Sequence, residues 1–531
     1  MMFRAVFLSV LIALNSGHPA HAFDLSSNFG KVEFPTTGNS EAQYHFNHGV
    51  AALHSFWYPE ALNAFKQSII ADPKFMMGYW GLAMAHNHPL WEDQDTKAAR
   101  KGLSKISRSE KLTRREWDYI KAVELLYGKG EKHARDKAYS RAMEKIYHKY
   151  PKDLEAACFY SLSLLGLTRN SENSLRLQIE AGAIALEVFQ KNPNHPCAAH
   201  YAIHAFDKPE LARLGLSSAK RYANIAPASH HAQHMPAHIF VQLGMWAEAA
   251  NSNKNGWLTS LKWVEKKKIP ISGKDYHSLQ WLHYCYLQLG LLKKAESVFK
   301  TQLKDMQEGI QSKSNLRAGK YFHRILAASV IETERWKWID KFPPPQGWKA
   351  KPFTKAGYHF VRGFSSAMQG KIEEAEKHLS KLIDLRKKGF RENYFKRMEY
   401  LEVWALEIQT AMALFKKEFA TAIELAKKAT SIEEKLPAPS GPPRILKPTY
   451  ELLGEVYLKA GKSLEAQKEF SISLLRHPNR TRSLVGMARA AKLNGEKIIA
   501  MENYRQLARQ LKSAGAELPE LKEAKRFLSK K

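Results

Sequence analysis

Three cysteines in 531 residues, Cys158, Cys197 and Cys285, are too few for a disulfide-built scaffold. The odd number leaves at least one thiol unpaired or committed to other chemistry. After residue 14 no apolar run approaches the roughly 18 residues that a membrane-spanning helix needs, which excludes a transmembrane segment in the mature chain. His-Glu-x-x-His is missing, and with it the usual general base of a metalloprotease. The chain also lacks a glycine-rich phosphate loop and a nucleophile motif, which removes the common nucleotide-driven and covalent-catalytic classes. Acidic residues are in the minority, with 52 Asp+Glu against 82 Lys+Arg, a formal charge of +30. Such an excess favours anionic surfaces and says little about fold.

The first 22 residues read as a secretory signal. Arg4 gives a positive start, Ala5 to Leu14 a short apolar run, and Ala20-His21-Ala22 a small-x-small cleavage site, so the mature chain begins at Phe23. The expected location is outside the cytoplasm, in the periplasm. Export makes nucleic acid an unsuitable target for the positive charge. An anionic envelope surface or an acidic protein remains, beside the simpler reading that lysines keep a long surface soluble.

What the chain has in abundance is a period. Pro193 and Pro227 lie 34 residues apart, each closing an amphipathic segment, and 34 residues is the length of a tetratricopeptide unit of two short helices. With these prolines at repeat position 32, Gly49, Ala61, Phe65 and Pro73 fall at 8, 20, 24 and 32. Gly454, Gly461, Ala466, Phe470 and Pro478 fall at 8, 15, 20, 24 and 32. Small residues at 8 and 20 let two helices approach, an aromatic at 24 fills the gap, and proline ends the second helix.

The spacing predicts a 1–22 signal, a polar lead-in at 23–41 and an N-terminal array over 42–342, with histidine-rich repeats at 196–243. Middle repeats follow at 343–436, then a Pro-rich linker at 437–448 and C-terminal repeats at 449–531. The expected fold is all-α, a right-handed superhelical solenoid of antiparallel helical hairpins with no sheet.

On these residues the chain resembles the tetratricopeptide repeat superfamily over nearly all its mature length. Tyr79-Trp80-Gly81-Leu82-Ala83, His234-Met235-Pro236-Ala237-His238-Ile239 and Leu287-Gln288-Leu289-Gly290 also look like a group of large exported bacterial repeat proteins. The resemblance implies a non-catalytic scaffold whose concave groove, lined by positions 2, 5, 9 and 12, holds a peptide or partner protein. Those positions are Cys197, His200, His204 and Asp207 in one repeat, and His231, His234, His238 and Val241 in the next. His277 adds position 2 of a third, and Trp80 takes position 5 near the start as an anchor. Trp246, Trp257 and Trp263 read as packing residues, and His45 and His48 as core histidines.

His200 and His204 recur as His234 and His238 one repeat later, so two His-x-x-x-His pairs occupy equivalent places. A pair at i and i+4 can hold one metal from a single helix face, and an adjacent helix 8 to 10 Å away can complete the shell. Cys197 and Asp207 are competent extra ligands, and imidazole with one thiol suits Zn²⁺ or Cu²⁺. Pro236 opposes this, because proline inside the second pair removes a helix hydrogen bond and can turn His234 away from His238. The sequence therefore favours an exported, non-enzymatic scaffold without a cofactor. The alternative is a Zn or Cu protein, a metal-dependent hydrolase included, centred on His200, His204, His234 and His238.

Overall fold

Short apolar-faced segments separated by turn residues each form a helix. The computed structural model describes residues 29–107, 112–168, 171, 173–311, 316–343, 350–391, 398–437 and 439–529. The signal segment lies outside these, as do parts of the 168–174 insert and of the first proline cluster. The described residues form 25 α-helices, each packed chiefly against its neighbours in sequence. The fold is an all-α solenoid of helical hairpins. One correction applies to the expectation of no sheet, since Asn87–His88 and Asp93–Gln94 pair antiparallel around a short 3-10 turn at Pro89–Trp91.

The repeat signature has a direct packing cause. The Phe65 ring lies between Gly49 and Gly81, where added β-carbons would come within 2.6 and 2.3 Å of it. Phe470 lies the same way between Gly454 and Gly486, at 2.9 and 2.2 Å. In each case the aromatic at position 24 is clasped by the first helix of its own repeat and the first helix of the next. Contacts this close leave no room for a methyl group, so glycine there is a packing requirement. Position 15 has a separate cause: Gly290 and Gly461 turn the chain between the two helices at φ of +65° and +73°, a left-handed conformation.

The segment read as a polar lead-in is partly core. Phe34 is fully buried, with its ring 5.3 Å from Phe46, 5.7 Å from Trp80 and 4.9 Å from Tyr119. Trp80 is therefore not an exposed anchor for a bound chain. At 1 % exposure it belongs to this aromatic core, because its repeat is covered by the N-terminal segment. Trp246 and Trp257 are buried as packing residues and Trp263 is partly so. His48 is buried, whereas His45 is only half-buried.

The C-terminal repeats fold back on the middle of the array. Trp246 Nε1 donates to the Asn479 carbonyl at 2.9 Å, Thr481 Oγ1 donates to the Gln288 carbonyl at 2.6 Å, and Gln242 Nε2 donates to the Pro439 carbonyl at 2.7 Å. Arg480, fully buried, bonds Glu451 through two nitrogens at 2.7 and 3.0 Å, Glu332 at 2.8 Å and Tyr284 at 2.6 Å. A planar guanidinium can serve three segments at once because its five N–H groups point in fixed directions. The helix Tyr276–Gln288 thus meets the chain's own C-terminal repeats instead of open solvent.

Candidate metal centre

The histidines are positioned by three consecutive hairpins. The helix Pro196–Ala205 opens with Pro196 in its first turn, and the His195 ring accepts the Cys197 N–H at 3.3 Å as its cap. Cys197 is bonded to Cys158 as a disulfide with Cα atoms 6.0 Å apart, so it is neither a groove residue nor a ligand; Cys285 is the buried free thiol. The helices His230–His234 and Pro236–Gln242 follow, with Met235 between them. Met235 keeps helical dihedrals, φ −53° and ψ −37°, so the proline interrupts the hydrogen bonding without turning the face. The Ser252 hydroxyl lies beside this break, donating toward the Gln233 carbonyl at 2.6 Å. His234 and His238 therefore stay on one face, contrary to the expectation from Pro236.

The four histidines picked out as ligands do not converge on a single ion position. Six imidazoles form two groups, His200, His204 and His231 in one, and His234, His238 and His277 in the other, with ligand atoms within 4.8 Å of one another in each. In the first group His200 Nε2 lies 3.1 Å from both His231 Nε2 and His204 Nε2. In the second, His234 Nε2 and His238 Nε2 are 3.2 Å apart. His200 and His234 are essentially inaccessible, while His204, His231 and His277 are half-buried and form the open side.

The second layer fixes the tautomers. His200 Nδ1 is 2.6 Å from the backbone carbonyl of His54, which only accepts, so this nitrogen carries the proton. His238 Nδ1 donates to Asp207 at 2.7 Å. His234 Nδ1 faces Asn253 Oδ1 at 2.6 Å, and the amide is oriented because Asn253 Nδ2 donates to the Ala249 carbonyl at 2.8 Å. In neutral His200, His234 and His238 each Nε2 therefore presents a lone pair. Between His234 and His238 two lone pairs face each other, an arrangement that needs a cation between them, proton or metal. Burial opposes the proton, lowering His200 to about 3 and His234 to about 4, and holding His231 and His277 well below the usual range with help from neighbouring imidazoles.

Asp207, a groove position whose carboxylate could also serve as an extra ligand, instead accepts hydrogen bonds from His238 and Gln242. Below the first group, Glu155 accepts from His54 at 2.6 Å and from His195 at 2.8 Å. Burial alone would raise this carboxyl, but the two imidazoles outweigh it and lower it to about 2. This lower cluster is satisfied within itself, and the Cys158 sulfur beside it is in the disulfide. His54, Glu155, His195 and Asn253 were not expected in the site. His54 sits at a packing position of its repeat, and nothing in the local sequence marks the others.

Aromatic rings wall the centre. Phe56 is 4.3 Å from His200, 5.5 Å from His204 and 5.8 Å from His231, ring to ring. It holds a left-handed φ of +51°, unusual for a bulky residue. Trp281 is 4.5 Å from His238, 4.9 Å from His234 and 5.2 Å from His277. Trp91, on the short turn between the paired strands, stands 6.2 Å from His231 and is about half exposed.

His204 and His238, at the same position of consecutive repeats, have ring centroids 6.1 Å apart, so the 34-residue step of the sequence is a step between adjacent hairpins in space. The chain is a solenoid of helical hairpins.

No protein-family model matches this chain, and no curated protein does. Among solved structures it is similar to the Cut9–Hcn1 hetero-tetramer of the APC/C, at 12 % identity over 92 % of this chain and 76 % of that one, with a TM-score of 0.32. It is also similar to the human IFIT1 dimer with m7Gppp-AAAA, at 14 % identity, 92 % and 94 % coverage and a TM-score of 0.34. Yeast Tom70 shows 10 % identity, 92 % and 88 % coverage and a TM-score of 0.24. At these scores the likeness is too loose to bear on function.

Proposed function

We propose that this is an exported helical-repeat protein that binds transition metal, Zn or Cu, through the imidazoles of His200, His204, His231, His234, His238 and His277. The observation that carries the reading is the convergence of Nε2 atoms at 3.1 to 3.2 Å, with the lone pairs of His234 and His238 facing each other and the opposite nitrogens of His200, His234 and His238 each held by an acceptor. Metal-bound histidines are oriented in this way, the second nitrogen donating to a carbonyl or carboxylate. Three protein ligands with one open side are the arrangement of metal sites that admit a further ligand. The disulfide fits an oxidising compartment and so supports export.

Elemental analysis of the purified full chain tests this. Near-stoichiometric Zn or Cu is expected, with loss of the ion held by the first group from the His200→Ala, His204→Ala double variant while the helical circular dichroism persists. A chain that takes up neither ion from a metal-buffered solution overturns the reading.

A partner-binding role for the repeats has its own observation. Leu464, Leu475, Leu493 and Ile498 on consecutive C-terminal repeats are all about two-thirds exposed or more, on a chain whose positive charge suits an acidic protein or an anionic envelope surface. Among the described residues no helix is long and apolar enough to cross a membrane. Capture of a protein partner that persists in chelator, and weakens when these residues are changed to Ser, is the expected result for that role; capture unaffected by the changes excludes this face.

A further inference from the structure

The two histidine groups are not separate. Within the first, the widest ring separation is 6.3 Å, between His204 and His231, and within the second it is 6.4 Å, between His238 and His277. Across the two groups, His204 and His238 are 6.1 Å apart and His231 and His234 are 6.4 Å apart. The shortest step from one group to the other, 6.1 Å, is thus no longer than the span within either. His231 and His234 share one helical turn yet belong to different groups, so a single helix, His230–His234, holds both.

Resting on the metal-binding reading, we infer that the six imidazoles form one binuclear centre, holding two copper ions that bind a molecule of dioxygen between them. An ion sits about 2 Å from each ligating imidazole nitrogen. With the two groups this close, two ions come into range of one small bridging ligand, as in two-metal sites with ions about 3.5–4 Å apart. The six ligands are all neutral imidazoles, without a carboxylate or a thiolate. That set suits copper over Mg, Ca or Mn, which take oxygen ligands, and copper stands at the top of the affinity order for a nitrogen site.

The charge argument points the same way. Two divalent ions on six neutral ligands would leave four positive charges in a largely buried place. The nearby carboxylates are already engaged, Asp207 by His238, Glu155 by His54 with His195, and Asp275, the one beside His234 and His277, by His230 and Ser278. Two Cu(I) ions carry half that charge, and when each gives one electron to dioxygen, the peroxide formed returns two negative charges directly between them. Copper goes from Cu(I) to Cu(II) twice, dioxygen gains two electrons, and no proton or further reductant enters the step. Phe56, Trp91 and Trp281 around the imidazoles give a small neutral molecule an apolar approach while limiting water.

The test loads the full-length chain with Cu(I) without oxygen, counts copper, and then admits air. Two coppers per chain are expected, followed by an intense near-ultraviolet charge-transfer band and an EPR signal that accounts for far less copper than is bound, since two bridged Cu(II) ions couple. His204→Ala or His238→Ala should each lower the count to one and abolish the band, with circular dichroism checking the fold. One copper in the unaltered chain overturns the binuclear centre. So do two coppers that stay Cu(I) in air, or that oxidise to give the full spin of two independent ions. Any of these results leaves metal binding itself standing, whereas uptake of neither Zn nor Cu removes both.

Discussion

Gly441 lies against the indole of Trp281 so closely that a β-carbon built on it would come within 2.1 Å of the ring. Gly441 belongs to the Pro-rich stretch before the C-terminal repeats, and Trp281 is the aromatic wall of His234, His238 and His277. The two residues therefore join the end of the chain to the histidine centre.

Gly441→Ala should disturb that wall. The residue has a φ of +142°, which an L side chain rarely adopts, so the methyl adds backbone strain to its clash with the indole. Metal affinity, measured by competition with a chelator, should fall about 10-fold, the lower end of the effect of disturbing a site's outer shell. An unchanged affinity with unchanged tryptophan fluorescence would show that the stretch does not brace the centre.

Asn253→Ala and Asp207→Ala remove acceptors from His234 and His238 without touching a proposed ligand. Each should weaken metal binding by about 10- to 100-fold while leaving the number of ions at saturation unchanged. Equal affinity in both variants would mean that these hydrogen bonds do not orient the rings for metal.

Arg480→Met tests the fold-back. The guanidinium is fully buried between Glu451, Glu332 and Tyr284, so its removal leaves carboxylates without their partner. The expected cost is about 3–5 kcal/mol, read as a lower urea midpoint. Arg489→Met, which breaks the part-exposed pair with Glu523, should cost no more than about 1 kcal/mol. Similar small effects for both changes would contradict the part assigned to Arg480.

Acid should destabilise the metal-free chain through histidines remote from the centre. His283, beside Ser329, and His477, near Arg480 and Arg476, are each lowered to about 3 by burial. The folded state resists protonation while the unfolded state takes up protons near pH 6.5. Their stabilisation is therefore complete above that pH and declines as pH falls toward 3. At pH 5 each should have lost on the order of 2 kcal/mol. Urea midpoints at pH 7 and 5 check this, and His283→Gln should reduce the difference between them; an unchanged difference would exclude His283 as a contributor.

The hairpins were legible in the sequence because they depend on local spacing. Phe65 and Phe470 sit at position 24 because a ring there meets small residues on the helices immediately before and after, and the same close fit recurs wherever the spacing recurs. The registry of His200 with His234 and of His204 with His238 was legible for the same reason. Their helical positions also put His231 and His277 on the shared face. The tertiary structure decided how the imidazoles group and which nitrogen each one offers. The acceptors that set this come from His54, Asp207 and Asn253, which stand 146, 31 and 19 residues from their histidines. No period carries that information. It also decided that Trp80 is core and that Cys197 is bonded to Cys158, since the covering segments come from outside the repeat. The chain alone thus determined the repeat and the face on which the histidines stand. Only folding the solenoid, with residues as far apart as His54 and His200, 146 positions, brought together, closed that face into a buried centre, because burial and hydrogen-bond partnership belong to neighbours in space and not in sequence.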